Sequence, residues 1–428
     1  NPSLAIACRF KSGSGYHIMN SFYKKINFVF IERFLRIIFQ YLVFIYIATN
    51  LESSIFSKLI FLLTIISVFQ TVFLTDLSNI FQNFIGQKRY STTQILRINF
   101  IFCLTNFILL VTCLFFYFGS YFEKNSEILL ISFLFIFSSL QITPMSIMRF
   151  NQAMYTETTI LAISFYVGSI LKIMAVYNNL PFLYLLIIFS IEGILSLLIA
   201  TSVFINKKFD LTIKNLNNDI SFISVFKKNF KYFVASALTI LYMKTDIIML
   251  EFFGEMNEIS KYAFSVRLME GILSIVGILN YYLLSKFIAD NRKFLTKIDS
   301  KNVLRAYLIF ALGFILTSYF MSYIFSQEIA IKDAFRYSII LGPAIFLAML
   351  GTLYSFTEIA KQSYNIMLFR NFSGFVTNII LNIYLIPKMG AYGAAVATLI
   401  SYFIAVLLPF TFSKSYTEFY KQLFLRSF

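Results

Sequence analysis

The chain has 428 residues, of which 59% are hydrophobic and only 13% charged, against roughly a quarter charged in soluble domains, and its net charge is +16. This composition excludes an ordinary soluble enzyme or binding module and makes the chain an integral membrane protein. The excess of Lys and Arg would point to nucleic acid in a soluble protein; here it is read as membrane topology, and no nucleic-acid partner is expected.

Residues 1–18, NPSLAIACRFKSGSGYHI, differ in character from the rest of the chain, and Met19 opens a basic segment leading into the first apolar run. They are read as an upstream or non-native segment. Beyond them the apolar runs reach the ~20 residues of a spanning helix and lack the strict alternation of barrel strands. They predict about twelve spans, at roughly 27–50, 58–82, 97–119, 127–148, 157–178, 182–205, 230–253, 261–286, 303–325, 334–356, 364–386 and 391–412. The longest connection, roughly 206–229 with KKFDLTIKNLNND, divides six spans from six. The expected organisation is therefore an N-terminal lobe at 19–205, a linker at 206–229 and a C-terminal lobe at 230–428.

Alternate connections fall on opposite sides of the membrane. One side collects most of the basic residues, including Lys88, Arg89, Lys207, Lys208, Lys227, Lys228, Arg292 and Lys293; the other holds Lys58, Lys124, Lys261, Lys332, Arg336 and Lys388. Because Lys and Arg concentrate in short cytoplasmic loops, both termini are expected in the cytoplasm.

Several spans carry charges. Glu32, Arg33 and Arg36 lie in the first, Asp76 in the second, Lys172 in the fifth and Glu192 in the sixth. Glu32, Arg33 and Asp76 are expected to snorkel to the interface, whereas Lys172 has apolar neighbours on both sides. The densest case is KTDIIMLEFFGEMNEISKYAFSVRLME, residues 244–270, which places Lys244 and Asp246 in one apolar run and Arg267 and Glu270 in the next. Each such group costs at least roughly 2.5–3.5 kcal/mol on insertion, so partners, water or a substrate must compensate. A turn near Glu255 to Glu258 sets Lys244 and Glu270 at similar depth, with Asp246 and Arg267 nearer the outside. The pairings Lys244 to Glu270 and Asp246 to Arg267 are each geometrically open. They are not jointly comfortable, because residues 244 and 246 differ by about 200° around a helix. On the next span Ala263, Arg267, Glu270, Gly271 and Ser274 share a stripe that suits either a cavity or a self-neutralising Arg267 to Glu270 pair.

Cations in such a position suit an anionic substrate, to which Arg brings a bidentate fork. Arg267, Lys244, Lys172 and Arg36 are the candidate substrate-binding residues, and Asp246 and Glu270 the candidate sites for coupling to protons or Na⁺. Three cysteines and the single His17 provide neither a disulfide framework nor a metal site, and no cofactor is expected. No phosphate-cradling loop, zinc-binding helix motif or nucleophile-base pair is visible, so no enzyme is expected.

Near the C-terminus, NIILNIYLIPKMGAYGAAVATLISYF joins the last two spans through a turn punctuated by Pro387 and Gly390. Gly393, Ala397 and Ser401 form a small-residue row that permits close helix packing. This stretch resembles a signature of bacterial polysaccharide flippases, the Wzx-type exporters of lipid-linked oligosaccharides. YAFSVRLMEG at 262–271 and DIIML at 246–250 are similar to segments of that family's eighth and seventh spans; ATNLESSIFSKL, which carries no Gly, departs from its pattern. The resemblance implies an all-α membrane protein with two six-helix lobes around a central cavity, like the multidrug and toxin extruders (MATE). It also implies an undecaprenyl-diphosphate-linked repeat unit as substrate, moved across the bacterial inner membrane by alternating access. Arg267 would then belong to a cationic cavity, with Lys244 and Asp246 adjacent, and a glycan polymerase and a chain-length regulator would be partners beside membrane lipid. A drug or cation antiporter of the same fold is the runner-up; a membrane polysaccharide polymerase or ligase is third, since such an enzyme calls for a large outer loop and every outer connection here is short.

Overall fold

The computed structural model describes residues 15–71, 92–124, 127–150, 153–206, 222–253, 256–289, 297–324, 329–361 and 364–425. Asp76, Lys88, Arg89, Lys207, Lys208, Arg292, Lys293 and the first fourteen residues lie outside them. The described residues are almost wholly helical, as required of chain that must satisfy its own backbone hydrogen bonds in hydrocarbon. The helices are α1 (Gly15–Asn50), α2 (Ser53–Thr71), α3 (Thr92–Lys124), α4 (Glu127–Ser138), α5 (Ile142–Phe150), α6 (Met154–Tyr177) and α7 (Phe182–Asn206). They continue with α8 (Phe222–Phe252), α9 (Met256–Ala289), α10 (Lys297–Ile324), α11 (Ile329–Lys361), α12 (Asn365–Leu407) and α13 (Lys414–Leu425).

By length and composition, eight helical stretches among the described residues can cross a membrane, and the chain is a multi-pass membrane protein. The longest stretch holds two predicted spans, and the described part of α2 is shorter than a span. Two expected spans are less regular than the sequence suggests. The fourth is broken between α4 and α5 by a 3-10 turn at Ser139–Gln141. Pro144, just inside α5, has no N–H for the carbonyl of Leu140, and the Asn99 amide on α3 supplies a donor to that oxygen at 3.3 Å. Near the C-terminus helical geometry runs through Pro387 and breaks only at Gly390, with φ 55° and ψ −136°, a conformation that calls for glycine. The last span then stops at Leu407, where a 3-10 turn containing Pro409 takes over, short of the expected residue 412.

The chain divides into two compact units, residues 1–55 with 62–237 and residues 56–61 with 238–428. In the first, Asn99 also donates to Thr143 Oγ1 at 3.0 Å, and Gln70 donates to the Phe135 carbonyl at 3.0 Å. Met145, Met148, Ile160 and Ala200 form an apolar cluster beside these bonds. In the second, α13 is amphipathic: Tyr416, Phe419, Tyr420 and Leu423 are buried while Lys414, Glu418 and Lys421 are exposed. Tyr416 and Tyr420 donate to the carbonyls of Val406 and Leu350 at 2.9 and 2.7 Å, which anchors this helix to its own unit. Gly393, Ala397 and Ser401 are buried, and a Cβ on Gly393 would lie only 2.5 Å from the Leu385 carbonyl oxygen.

Candidate functional site

The second unit gathers the charged residues of α8, α9 and α12 into two neighbouring groups. The first is centred on Glu270. Lys244 Nζ lies 2.5 Å from its Oε1, and Arg267 Nη1 lies 3.4 Å from its Oε2. Both distances follow from local geometry: α8 and α9 form an antiparallel hairpin that levels 244 with 270, and 267 sits one turn before 270. One carboxylate therefore faces two cations. Arg267 is a third exposed and its contact is long, whereas Lys244 and Glu270 are more enclosed. On the same stripe Ala263 is buried and Ser274 exposed.

Asp246 belongs to the second group and points elsewhere. Only 2% exposed, it takes no cation from Arg267. Its Oδ1 accepts from the Asn378 and Asn382 amides at 2.8 and 2.6 Å, and its Oδ2 accepts from the Tyr262 hydroxyl at 2.5 Å and from the Thr398 hydroxyl. Asn382 also donates to Asn378 Oδ1 at 3.0 Å, and the Tyr262 and Thr398 hydroxyls are 3.1 Å apart. Asn382 Oδ1 is buried and finds no partner among the described residues. An unbroken helix would hold Asn382 and Thr398 about 24 Å apart, so the break at Gly390 folds the chain back and brings both to one carboxylate. The residues around Asp246 are neutral oxygen-bearing groups, with no second carboxylate and no bound cationic side chain among the described residues. Rotating either Asn amide exchanges a donor for an acceptor oxygen, so the same side chains fit a hard cation or a shared proton at Asp246.

Remaining candidates lie in the first unit. Lys172 Nζ is 2.8 Å from Glu192 Oε2 and 4.9 Å from the Phe189 ring centre, forming a one-to-one pair between α6 and α7. Arg36 pairs with Glu32 one turn away on α1 at 3.2 Å. Glu32 does not snorkel: it is 7% exposed, held down by the helix packing around it. Among the described residues no group of three or more His, Cys, Asp or Glu side chains converges to hold a metal ion.

Tyr262, Asn378, Asn382 and Thr398 do not stand out as site residues in the sequence. Their one visible signal is the i,i+4 pair of asparagines in the otherwise apolar NIILN. Arg370, inside a predicted span, is a further residue that the sequence reading misses. It is 7% exposed and donates to the Gly351 carbonyl, to Ser355 Oγ at 2.6 Å and to Asn371 Oδ1 at 3.3 Å.

No protein-family model matches the chain, and no curated protein does. Solved structures do. The lipid II flippase MurJ in an inward closed conformation aligns with a TM-score of 0.65 at 17% identity, covering 93% of this chain and 91% of that one. The Vibrio cholerae MATE transporter VcmN, solved as a point mutant, aligns with a TM-score of 0.64 at 13% identity over 95% of this chain and 99% of its own. An outward-facing multidrug resistance MATE transporter of the MOP superfamily gives 0.56 at 14% identity over 93% and 96%. This chain therefore has the all-helical, MATE-like fold common to MurJ and the multidrug exporters, as the sequence leads one to expect.

Proposed function

We propose that this chain is a flippase that carries undecaprenyl-diphosphate-linked oligosaccharide repeat units from the cytoplasmic to the outer face of the bacterial inner membrane by alternating access. The observation that carries the reading is the Glu270 group. Two cations meet at one carboxylate inside an apolar protein, and a partly exposed guanidinium whose contact to it is long can exchange that contact for phosphate oxygens. Lys244, held at 2.5 Å, maintains the carboxylate's orientation while Arg267 engages the diphosphate. Arg36 and Lys172, each paired with a carboxylate, serve in this reading as structural pairs rather than substrate contacts. The polyprenyl-linked sugar itself comes from the resemblance of residues 246–250, 262–271 and 378–403 to Wzx-type exporters, and a fold like that of a lipid II flippase supports it.

Asp246 is the coupling residue in this reading. A buried carboxylate supported only by neutral amide and hydroxyl donors binds a proton or Na⁺ at little structural cost, and its release drives the return of the carrier. The distribution of Lys and Arg supports cytoplasmic termini, and a glycan polymerase and a chain-length regulator are the partners such an exporter would serve. A second reading, a drug or cation antiporter of the same fold, draws on Asp246 alone; it leaves the two cations at Glu270 without a role.

Arg267→Ala tests the proposal. Surface-glycan export should be abolished with protein abundance intact, and Arg267→Lys should retain part of it. Normal glycan display by the Ala variant removes Arg267 from the mechanism. Failure of the purified protein to move a defined lipid-linked oligosaccharide across liposomes removes the substrate.

A further inference from the structure

Between α8 and α12 a polar seam continues from the Asp246 bonds past Asn378 to Thr239 and Asn371. On α8 it consists of Thr239, Tyr242 and Asp246, spaced three and four residues apart and so on one face; on α12 it consists of Asn371, Gly374, Asn378 and Asn382, likewise on one face. The two rows meet rung by rung. Asn371 donates to Thr239 Oγ1 at 2.7 Å, Tyr242 lies over Gly374 with Cζ 3.5 Å from where a Cβ would be, and both Asn378 and Asn382 reach Asp246. From residue 382 back to residue 371 the seam runs about 16 Å, half the hydrocarbon thickness, towards the membrane side on which α12 begins.

Tyr242 is the anomaly. Its residue is 4% exposed, its ring packs against Tyr402 at 4.6 Å, and its hydroxyl finds no partner among the described residues. A phenylalanine would fill that space without burying an unsatisfied hydroxyl. Asp246 lies one turn further along α8, Arg370 one turn before Gly374 on α12, and Tyr402 packs on the ring from the part of α12 beyond Gly390. Lys244 and Glu270 pair with each other on another face of α8. Arg370 closes the seam at its end. It is bonded to three neutral oxygens, and no carboxylate lies within ion-pair distance of it among the described residues.

We infer that this seam is the access route of a monovalent cation to Asp246, with the Tyr242 hydroxyl as the stepping point and Arg370 as the positioning residue that closes the route from the cytoplasmic side. The inference rests on the coupling role of Asp246 proposed above. The Tyr242 hydroxyl accepts from or ligates the passing ion in transit but contributes nothing to the equilibrium site, since Asp246 is already held by four other side chains. The closing guanidinium excludes cations while Asn371 and Ser355 hold it; breaking the Asn371–Thr239 rung opens that end.

The test uses the full chain in detergent. Because it has 27 Tyr and no Trp, tyrosine emission reports occupancy of the Asp246 site, where three of them cluster. Equilibrium titration and stopped-flow exchange are measured in two arms, a Na⁺ jump and an acid jump, for the unaltered protein, Asp246→Asn, Tyr242→Phe and Thr239→Val. Whichever arm gives a signal that Asp246→Asn abolishes identifies the ion. In that arm Tyr242→Phe should keep the midpoint and slow exchange by about tenfold or more, and Thr239→Val should keep the midpoint and speed exchange. An unchanged rate in Tyr242→Phe, or a midpoint that shifts with the rate, overturns the seam while leaving Asp246 as the coupling site. No Asp246-dependent signal in either arm overturns the coupling role, and the seam with it.

Discussion

The two units treat charge in opposite ways. In the first, Lys172 is matched one to one with Glu192 between α6 and α7, and Glu32 on α1 is paired with Arg36 one turn away. In the second, Lys261 pairs with Glu258 and Asp333, and Arg336 with Asp333, but the groups at Glu270, Asp246 and Arg370 are arranged differently. Glu270 faces two cations, Asp246 is held only by neutral side chains, and Arg370 bonds only neutral oxygens. A matched pair in a low-dielectric interior has nothing left to offer a ligand, since recruiting one partner strands the other. Unmatched charges are the reverse: their free energy is recovered when something of opposite sign arrives. Under the proposed function, ion and anion handling belongs to the second unit and the pairs in the first are scaffold.

The largest effect that would sharpen this contrast is expected at Asp246. Contacts to a charged group are worth about 1.5–3 kcal/mol, so Asp246→Asn should weaken cation binding by roughly 10- to 100-fold or more and reduce ion-driven transport in liposomes to match. Its amide still fits among the Asn, Thr and Tyr donors, so abundance in the membrane should hold. Full coupling in this variant would break the comparison outright.

Next in size is the matched pair. Lys172→Met strands Glu192 and should cost about 2 kcal/mol of stability, below the roughly 3–5 of a fully buried pair because Glu192 is about a third exposed. Thermal unfolding in detergent reads this. The double variant Lys172→Met/Glu192→Leu should recover most of the loss and export glycan normally. Loss of export by the stable double variant would move Lys172 into the substrate site and erase the distinction between the units.

Gly390→Ala is expected to cost about 1–2 kcal/mol, since φ of 55° suits glycine and strains other residues. The effect should appear as lower stability together with a weakened Asp246 site, because this break is what brings Thr398 back to Asn382. Unaltered cation binding would mean that the fold-back survives without glycine. Smallest is Tyr420→Phe on α13, which leaves the Leu350 carbonyl without its side-chain donor and should cost about 1 kcal/mol with export unchanged. A transport defect there would extend function to a helix that the contrast treats as an anchor.

The sequence by itself determined the membrane class, the helical architecture and the hairpin carrying Lys244, Asp246, Arg267 and Glu270. Those follow from quantities that are local: apolar runs of spanning length, the 1.5 Å rise of a helix and the cost of a charge in hydrocarbon. Even the levelling of Lys244 with Glu270 needed only an antiparallel turn between them. The surroundings of Asp246 needed more. Asn378, Asn382 and Thr398 lie 132 to 152 residues away along the chain, and they converge only because α12 reverses at Gly390 and packs against α8 and α9. Neutral Asn and Thr do not stand out in an apolar run as charges do, and although Arg370 carries a charge inside a predicted span, its uncharged partners come together only in the tertiary structure. Tertiary structure alone decided which of Lys244 and Asp246 meets Glu270. Two residues apart on one helix, they project about 200° from each other, so a single neighbour can take only one of them, and α9 takes Lys244.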